Sequence, residues 1–177
     1  MREVQMTSLD EPFDGLFTQG MVCHETYRAA DGSWLLPEEV ERTAGGAVVR
    51  ISHKSPVGVG RSEKMSKSKK NVVDPDQIIH DYGADTARWF MLSDSPPERD
   101  LEWTEAGVTG AWRFQQRLHR IASEAMASLP PAGTAQPAAF ADAATALRRT
   151  AHKTIAGVST DIEAFHFNKA VARLYEL

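Results

Sequence analysis

Arg61-Ser62-Glu63-Lys64-Met65-Ser66-Lys67-Ser68-Lys69-Lys70-Asn71-Val72-Val73-Asp74-Pro75-Asp76-Gln77 divides the chain into two textures. Before it, glycine pairs alternate with β-branched runs; after it, helix signals follow one another to Leu177. Arg61, Lys64, Lys67, Lys69 and Lys70 outnumber Glu63 here, and the small hydroxyls of Ser66 and Ser68 lie among them. Mobile ammonium groups beside hydroxyls are what a protein needs to hold a polyphosphate while a bond at phosphorus breaks. Gly58 and Gly60 give mobility before the lysines, and the helix opener Asp74-Pro75 fixes the chain after them. Such a loop can close on a triphosphate and relax afterwards. It is not a Walker loop: Gly58-Val59-Gly60-Arg61-Ser62-Glu63 satisfies neither G-x-x-x-x-G-K-[ST] nor the third glycine of a dinucleotide fingerprint.

Working outward toward the C-terminus, Asp74 can accept from the free N–H groups of a helix start and Pro75 suits the first helical position. Gln77 completes an Asp-x-x-Gln capping box. The spacing predicts a short helix from Pro75 with Ile78, Ile79 and Tyr82 on its buried side and Gly83 ending it in the left-handed conformation. A second helix, from about Ala84 to Ser93, runs until Pro96-Pro97. Thr104 is the N-cap of a long helix to about Ser128, with Val108, Ala111, Phe114, Leu118, Ile121 and Ala125 at helical spacing. After a proline-rich turn, a further helix from about Ala138 to Ala164 places Leu147, Ile155, Val158 and Ile162 inward, making an αα-hairpin. Asn168 then caps a last helix through Ala170, Val171 and Leu174, which reads as a cut edge because it reaches Leu177 without a C-cap glycine.

Toward the N-terminus, Leu16-Phe17-Thr18-Gln19-Gly20-Met21-Val22 is an apolar run that predicts a buried strand, with Cys23 and His24 packing near the sheet edge. Residues 27–60 carry Asp31-Gly32, Gly45-Gly46 and Val48-Val49-Arg50-Ile51, the marks of a hairpin-rich insert with a possible helical turn only at Pro37-Glu38-Glu39-Val40.

Composition limits the function classes. The 177 residues suffice for one ordinary core or two small ones, and a net charge of −4 argues against wholesale coating of nucleic acid. RNA contact must come from local basic rows. Cys23 is the only cysteine, so no internal disulfide forms, and no Cys/His spacing resembles a zinc site. Nothing approaches the roughly 18 consecutive apolar residues of a membrane span, and Met1-Arg2-Glu3-Val4-Gln5 is unlike a secretory leader, which predicts a reducing cytoplasm.

The string Lys64-Met65-Ser66-Lys67-Ser68 matches the KMSKS signature of class I aminoacyl-tRNA synthetases at every position. Further residues point the same way: the continuation of that string through Lys69-Lys70-Asn71; Glu11-Pro12-Phe13 leading to Thr18-Gln19-Gly20-Met21-Val22; Tyr82-Gly83-Ala84-Asp85-Thr86 with Arg88; Asp100-Leu101-Glu102-Trp103 running to Gly110-Ala111; and Phe165-His166-Phe167-Asn168-Lys169-Ala170. On these the chain resembles bacterial leucyl-tRNA synthetases, over the C-terminal part of the catalytic domain and the start of the tRNA-binding helical domain. The long insert between the glycine-containing strand and the lysine loop resembles the leucine-specific insertion. The valyl, isoleucyl and methionyl relatives remain alternatives.

The resemblance implies a mixed α/β fragment: the edge of a Rossmann-type catalytic domain with a small β-rich insert, followed by an α-helical bundle, mostly α by residue count. The implied units are a Rossmann-type remnant (1–23), the insert (24–63), the KMSKS loop (64–73), a connecting helical region (74–103) and a truncated anticodon-binding-like bundle (104–177). It implies a leucine–tRNA ligase, in which leucine and ATP, with Mg2+, form leucyl-adenylate and pyrophosphate and the leucyl group passes to tRNA(Leu); no DNA or membrane partner is implied. Lys64 and Lys67 would be catalytic, stabilising phosphate charge, with Lys67 in direct contact with ATP. Ser66 and Ser68 would hydrogen-bond to ATP and Met65 would sit toward the adenosine. The His-x-Gly-His signature of the class is missing from the sequence, as are the amino-acid pocket and the editing domain, so the chain alone is not expected to charge tRNA.

Arg113, Arg117 and Arg120, with Arg148, Arg149 and Lys153 on the partner helix, are either a solvated helix face or contacts to tRNA phosphates. Trp89, Trp103 and Trp112 read as core anchors, and His119 and His152 as facing solvent or one another. A rival reading is a non-catalytic RNA-binding helical module, which would bind tRNA without any dependence on ATP.

Overall fold

The computed structural model describes Phe13 and residues 15–177. Glu11, Pro12 and Asp14, together with the rest of the 1–12 stretch, lie outside the described residues. Among the described residues eight short strands precede or punctuate five α-helices, and helix residues outnumber strand residues. The mixed α/β class read from the sequence is the class observed.

The strands are β1 (Val22–His24), β2 (Tyr27–Arg28), β3 (Trp34–Leu35), β4 (Val40–Arg42), β5 (Val48–Arg50), β6 (Gly58–Val59), β7 (Glu63–Lys64) and β8 (Leu101–Glu102). They form a three-stranded sheet in the order β7-β1-β8, a three-stranded sheet β3-β2-β6 and the β4-β5 pair. β1 runs antiparallel to β7, with Cys23 opposite Lys64 and His24 opposite Glu63, and parallel to β8, with Val22 opposite Leu101. The apolar run Leu16–Val22 therefore contributes only its last residue to a strand. Leu16 is 90% exposed, and the strand begins where the chain meets β8. Cys23 and His24 are buried on the central strand, not at the edge of the sheet.

Gly20 makes this docking possible. Its N–H donates to the Pro97 carbonyl at 2.8 Å, and a Cβ there would stand 2.0 Å from the Arg99 carbonyl oxygen, too close for any side chain. Residues 27–59 fold on themselves as antiparallel pairs around buried Tyr27, Leu35 and Val48, with a 3-10 turn at Pro37–Glu39.

The helices are α1 (Pro75–Tyr82), α2 (Ala84–Ser93), α3 (Glu105–Met126), α4 (Asp142–Glu163) and α5 (Phe167–Glu176). Asp74 caps α1 by accepting from the Asp76 N–H at 3.0 Å, but no capping box closes: the Gln77 amide donates forward to Asp81 Oδ2 at 2.7 Å. Gly83 ends α1 at φ 86, ψ 151, a positive-φ conformation that glycine favours, though outside the left-handed helical basin expected of it. Thr104 Oγ1 accepts from the Gly107 N–H at 3.1 Å, as its N-cap position requires.

The main core joins Ile78, Phe90, Leu101, Trp103, Val108 and Ala111 from α1, α2, β8 and α3. Ile79 lies on the outer side of α1, 48% exposed. α4 packs on α5, and α5 and α3 both pack on α2, so the expected hairpin of α3 with α4 is not the main contact of either helix. In consequence Leu147, Ile155 and Ile162 are exposed instead of inward, as are Leu118 and Ile121. The α4–α5 elbow is held by the buried Asp161 carboxylate, which accepts from Arg173 Nε at 2.6 Å, and His166 occupies the cap position expected of Asn168. Trp103 is buried and meets Phe90 edge to face at 5.1 Å; Trp89 stacks on Phe114; Trp112 is 38% exposed and is a core anchor only in part.

Candidate functional site

The lysine loop leaves the main sheet directly from β7. Because Lys64 is paired with Cys23, its backbone is fixed while its side chain stands exposed. The Met65 N–H donates to the Val22 carbonyl at 3.2 Å, extending the attachment by one residue, and the Met65 side chain packs against the main core. Lys67–Lys69 then form one 3-10 turn, and Lys70 closes it at φ 54 in the left-handed region. Lys67 and Ser68 are exposed, and Ser66 is half-buried with its hydroxyl 2.7 Å from that of Ser68. The structure thus places Lys64 at the end of β7 and Ser66, Lys67 and Ser68 in the turn that follows it, with both lysines exposed. Among the described residues no ion pair engages either lysine.

Asn71, to which sequence reading gave no role, is the most enclosed residue of the site, with no exposed surface. Its Oδ1 accepts from the Ser66 N–H at 2.9 Å. Its Nδ2 faces the carbonyls of His24 at 3.1 Å, Glu63 at 3.1 Å and Lys64 at 3.4 Å. One amide therefore ties both ends of the turn to β1 and β7. No motif rule singles it out, because all its partners are main-chain atoms.

Glu63, on β7, accepts from Arg61 Nε at 3.3 Å and pairs with Lys69. The hydrogen bond from Lys69, followed by that from Arg61, holds the Glu63 carboxyl below the usual glutamate range. A lowered folded-state value means that the pairing adds stability above the unfolded-state value and loses it as pH falls through the folded one. A carbon-detected NMR titration should therefore place the Glu63 midpoint below that of an unpaired glutamate; a midpoint at or above it would show that Lys69 is free.

The two basic rows have separate surroundings. Arg113, Arg117 and Arg120 are exposed on α3, where Arg117 borders a groove of about 330 Å³ lined also by Trp89, Phe114, Leu118, Ile121 and Tyr175. Arg148, Arg149 and Lys153 are exposed on α4, and the Arg148 guanidinium lies 4.3 Å from the Phe140 ring centroid. Because α4 packs on α5, the structure does not join the rows through a helix hairpin. His119 and His152 are both solvent-exposed. Among the described residues no helix is long and apolar enough to cross a membrane.

Comparison with known proteins gives this geometry a context. A family model described as tRNA synthetases class I (I, L, M and V) matches residues 53–104, the segment that includes the lysine loop, α1, α2 and β8. The chain is 59% identical over its whole length to the leucine–tRNA ligase of Paramagnetospirillum magneticum, 58% to that of Parvibaculum lavamentivorans and 54% to that of Rhodospirillum rubrum. It spans about one fifth of the length of these curated relatives, from 20% to 21%. Among solved structures it is similar to Agrobacterium radiobacter K84 agnB2 LeuRS, crystallised as a ternary complex with tRNA and LeuAMS. That likeness has a TM-score of 0.67 at 22% identity, over 99% of this chain and 18% of that one, and it shows a shared fold.

Proposed function

We infer from this end-to-end likeness that the chain is a segment of a bacterial leucyl-tRNA synthetase and that its lysine loop serves leucine activation. The observation that carries the reading is the loop itself: two exposed lysines, one ending β7 and one on the turn after it, with no ion pair among the described residues, and two hydroxyls in contact, all anchored by a buried amide to the strand that also meets β8.

In the reaction, a leucine carboxylate oxygen attacks the α-phosphorus of ATP, and the bond from that phosphorus to the β-phosphate's bridging oxygen breaks. Negative charge accumulates on the departing pyrophosphate, and Lys67 and Lys64 stabilise it electrostatically. Ser66 and Ser68 donate hydrogen bonds to phosphate oxygens, and Met65, seated on the main core, supports the turn near the adenosine. The leucyl group then passes to the terminal ribose of tRNA(Leu). Arg113, Arg117, Arg120, Arg148, Arg149 and Lys153 supply charge for its phosphates, each row in its own place. The sequence divides accordingly into the catalytic remnant up to residue 23, the insert 24–63, the loop 64–73, the connecting helices 74–103 and the helical region 104–177.

Mg2+ accompanies ATP in such chemistry, but the loop does not fit it: ammonium groups repel a cation, and Mg2+ prefers carboxylate and phosphate oxygens. Among the described residues no cluster of three His, Cys, Asp or Glu side chains offers it a cage. The metal would arrive with the nucleotide.

The test is replacement of the matching segment of the P. magneticum leucine–tRNA ligase by these 177 residues. The chimaera should sustain leucine-dependent ATP–pyrophosphate exchange within about tenfold of the parent, a loss of under about 1.4 kcal/mol. A folded chimaera with no leucine-dependent exchange would overturn the assignment.

A further inference from the structure

We propose that Asn71 is a positioning residue for the lysine loop, acting on the reaction only through the placement of Lys67. The inference rests on the function proposed above but stands on separate geometry. Among the described residues, the main-chain hydrogen bonds of the turn that carries Lys67 are local, from Lys69 N–H to the Ser66 carbonyl at 3.2 Å and from Lys70 N–H to the Lys67 carbonyl at 3.3 Å. Two local bonds do not fix where a turn stands relative to a sheet. Among the described residues the external fixings are the Met65 N–H bond to Val22 on one side, the Asn71 amide on the other and the partly exposed side-chain pair of Lys69 with Glu63. Of these, only Asn71 spans the loop: its acceptor takes Ser66, the residue before Lys67, while its donor group reaches β1 and β7.

The chemistry suits an amide and no other group of that size. A carboxylate at this position would confront three carbonyl oxygens, and an apolar side chain would leave them and the Ser66 N–H without partners in a site closed to water. The clasp is also distinct from the Glu63–Lys69 pair. That pair is partly exposed and can exchange with phosphate, whereas Asn71 is wholly enclosed and cannot contact a nucleotide without opening the fold. Precise placement matters because charge stabilisation of a transferring phosphoryl group depends on preorganised donors, and small displacements lower the rate steeply.

The experiment is a double-mutant cycle in the chimaeric ligase, with Asn71→Ala, Lys67→Ala and the double variant. Each is assayed by ATP–pyrophosphate exchange at a temperature where circular dichroism shows the variant folded. If Asn71 acts through Lys67, the double variant is within about threefold of Lys67→Ala alone, because the position of an absent ammonium no longer matters. Effects that multiply would overturn the proposal and leave Asn71 a general structural residue. Trypsin digestion of the folded chimaera supplies a readout that does not depend on activity. Asn71→Ala should speed cleavage after Lys67, Lys69 and Lys70 at least tenfold relative to cleavage after Arg148 and Lys153. Equal acceleration at both places would refute the clasp even in an active chimaera. Selective acceleration with no effect of Lys67→Ala on exchange would uphold the clasp, remove its link to catalysis and refute the ligase role of Lys67.

Discussion

Lys67→Ala in the chimaeric ligase is expected to lower the rate of leucyl-adenylate formation by about 10² to 10³, equivalent to about 3 to 4 kcal/mol of lost transition-state stabilisation. The side chain is exposed, and among the described residues it forms no ion pair, so its removal opens no cavity and strands no partner. Thermal unfolding should therefore stay within about 2 °C of the parent, since surface substitutions away from such features change stability by about 0.5 kcal/mol or less. Because the charge it meets grows as pyrophosphate departs, the loss should appear in kcat more than in the KM for ATP. Single-turnover formation of the adenylate in a quench-flow instrument separates this step from acyl transfer. A rate within threefold of the parent would remove Lys67 from the chemistry and shift the electrostatic role to Lys64.

Phe90→Ala is expected to have the largest effect on stability, about 3 to 5 kcal/mol. Phe90 is 1% exposed at the centre of the main core, packed edge to face on Trp103, and so close to Gly107 that a Cβ on that glycine would stand 2.5 Å from its ring. Gly107 on the facing helix brings only backbone to the ring, so that side of the space has no side chain to fill it. Against a typical total of about 5 to 15 kcal/mol, such a loss leaves the chain close to unfolding at ambient temperature. Urea denaturation followed by tryptophan fluorescence measures it, and Leu147→Ala is the control. Leu147 is 62% exposed on α4, and its removal should shift the midpoint hardly at all. Equal effects of the two substitutions would mean that the core does not lie where α1, α2, β8 and α3 meet.

The sequence was most readable where the signal is local. The bounds of α2, the Thr104 cap of α3 and the loop that carries Lys64 to Ser68 all depend on neighbours a few residues away, and each is observed. It was least readable where the partner decides. Leu147, Ile155 and Ile162 repeat at helical spacing, but periodicity names a face without naming what covers it, and α4 chose α5. Leu16–Val22 has the apolar content of a strand, yet only the approach of Gly20 to Pro97 and Arg99 fixes where pairing begins. Gln77 fits a capping box by spacing, but Asp81, one turn onward, competes for its amide. Asn71 shows the limit most sharply: the carbonyls of His24, Glu63 and Lys64 would look the same whatever side chains those positions carried.

His24 and Glu63 face each other across β1 and β7, although 38 residues lie between them in the chain. Everything from Glu25 to Ser62 therefore leaves and returns through a single narrow neck, and its size is almost invisible to the sheet. Closing a loop twice as long costs only about 0.6 kcal/mol more. A stretch of this kind can be lengthened, shortened or exchanged by insertion at its neck while the turn downstream keeps its place on the sheet.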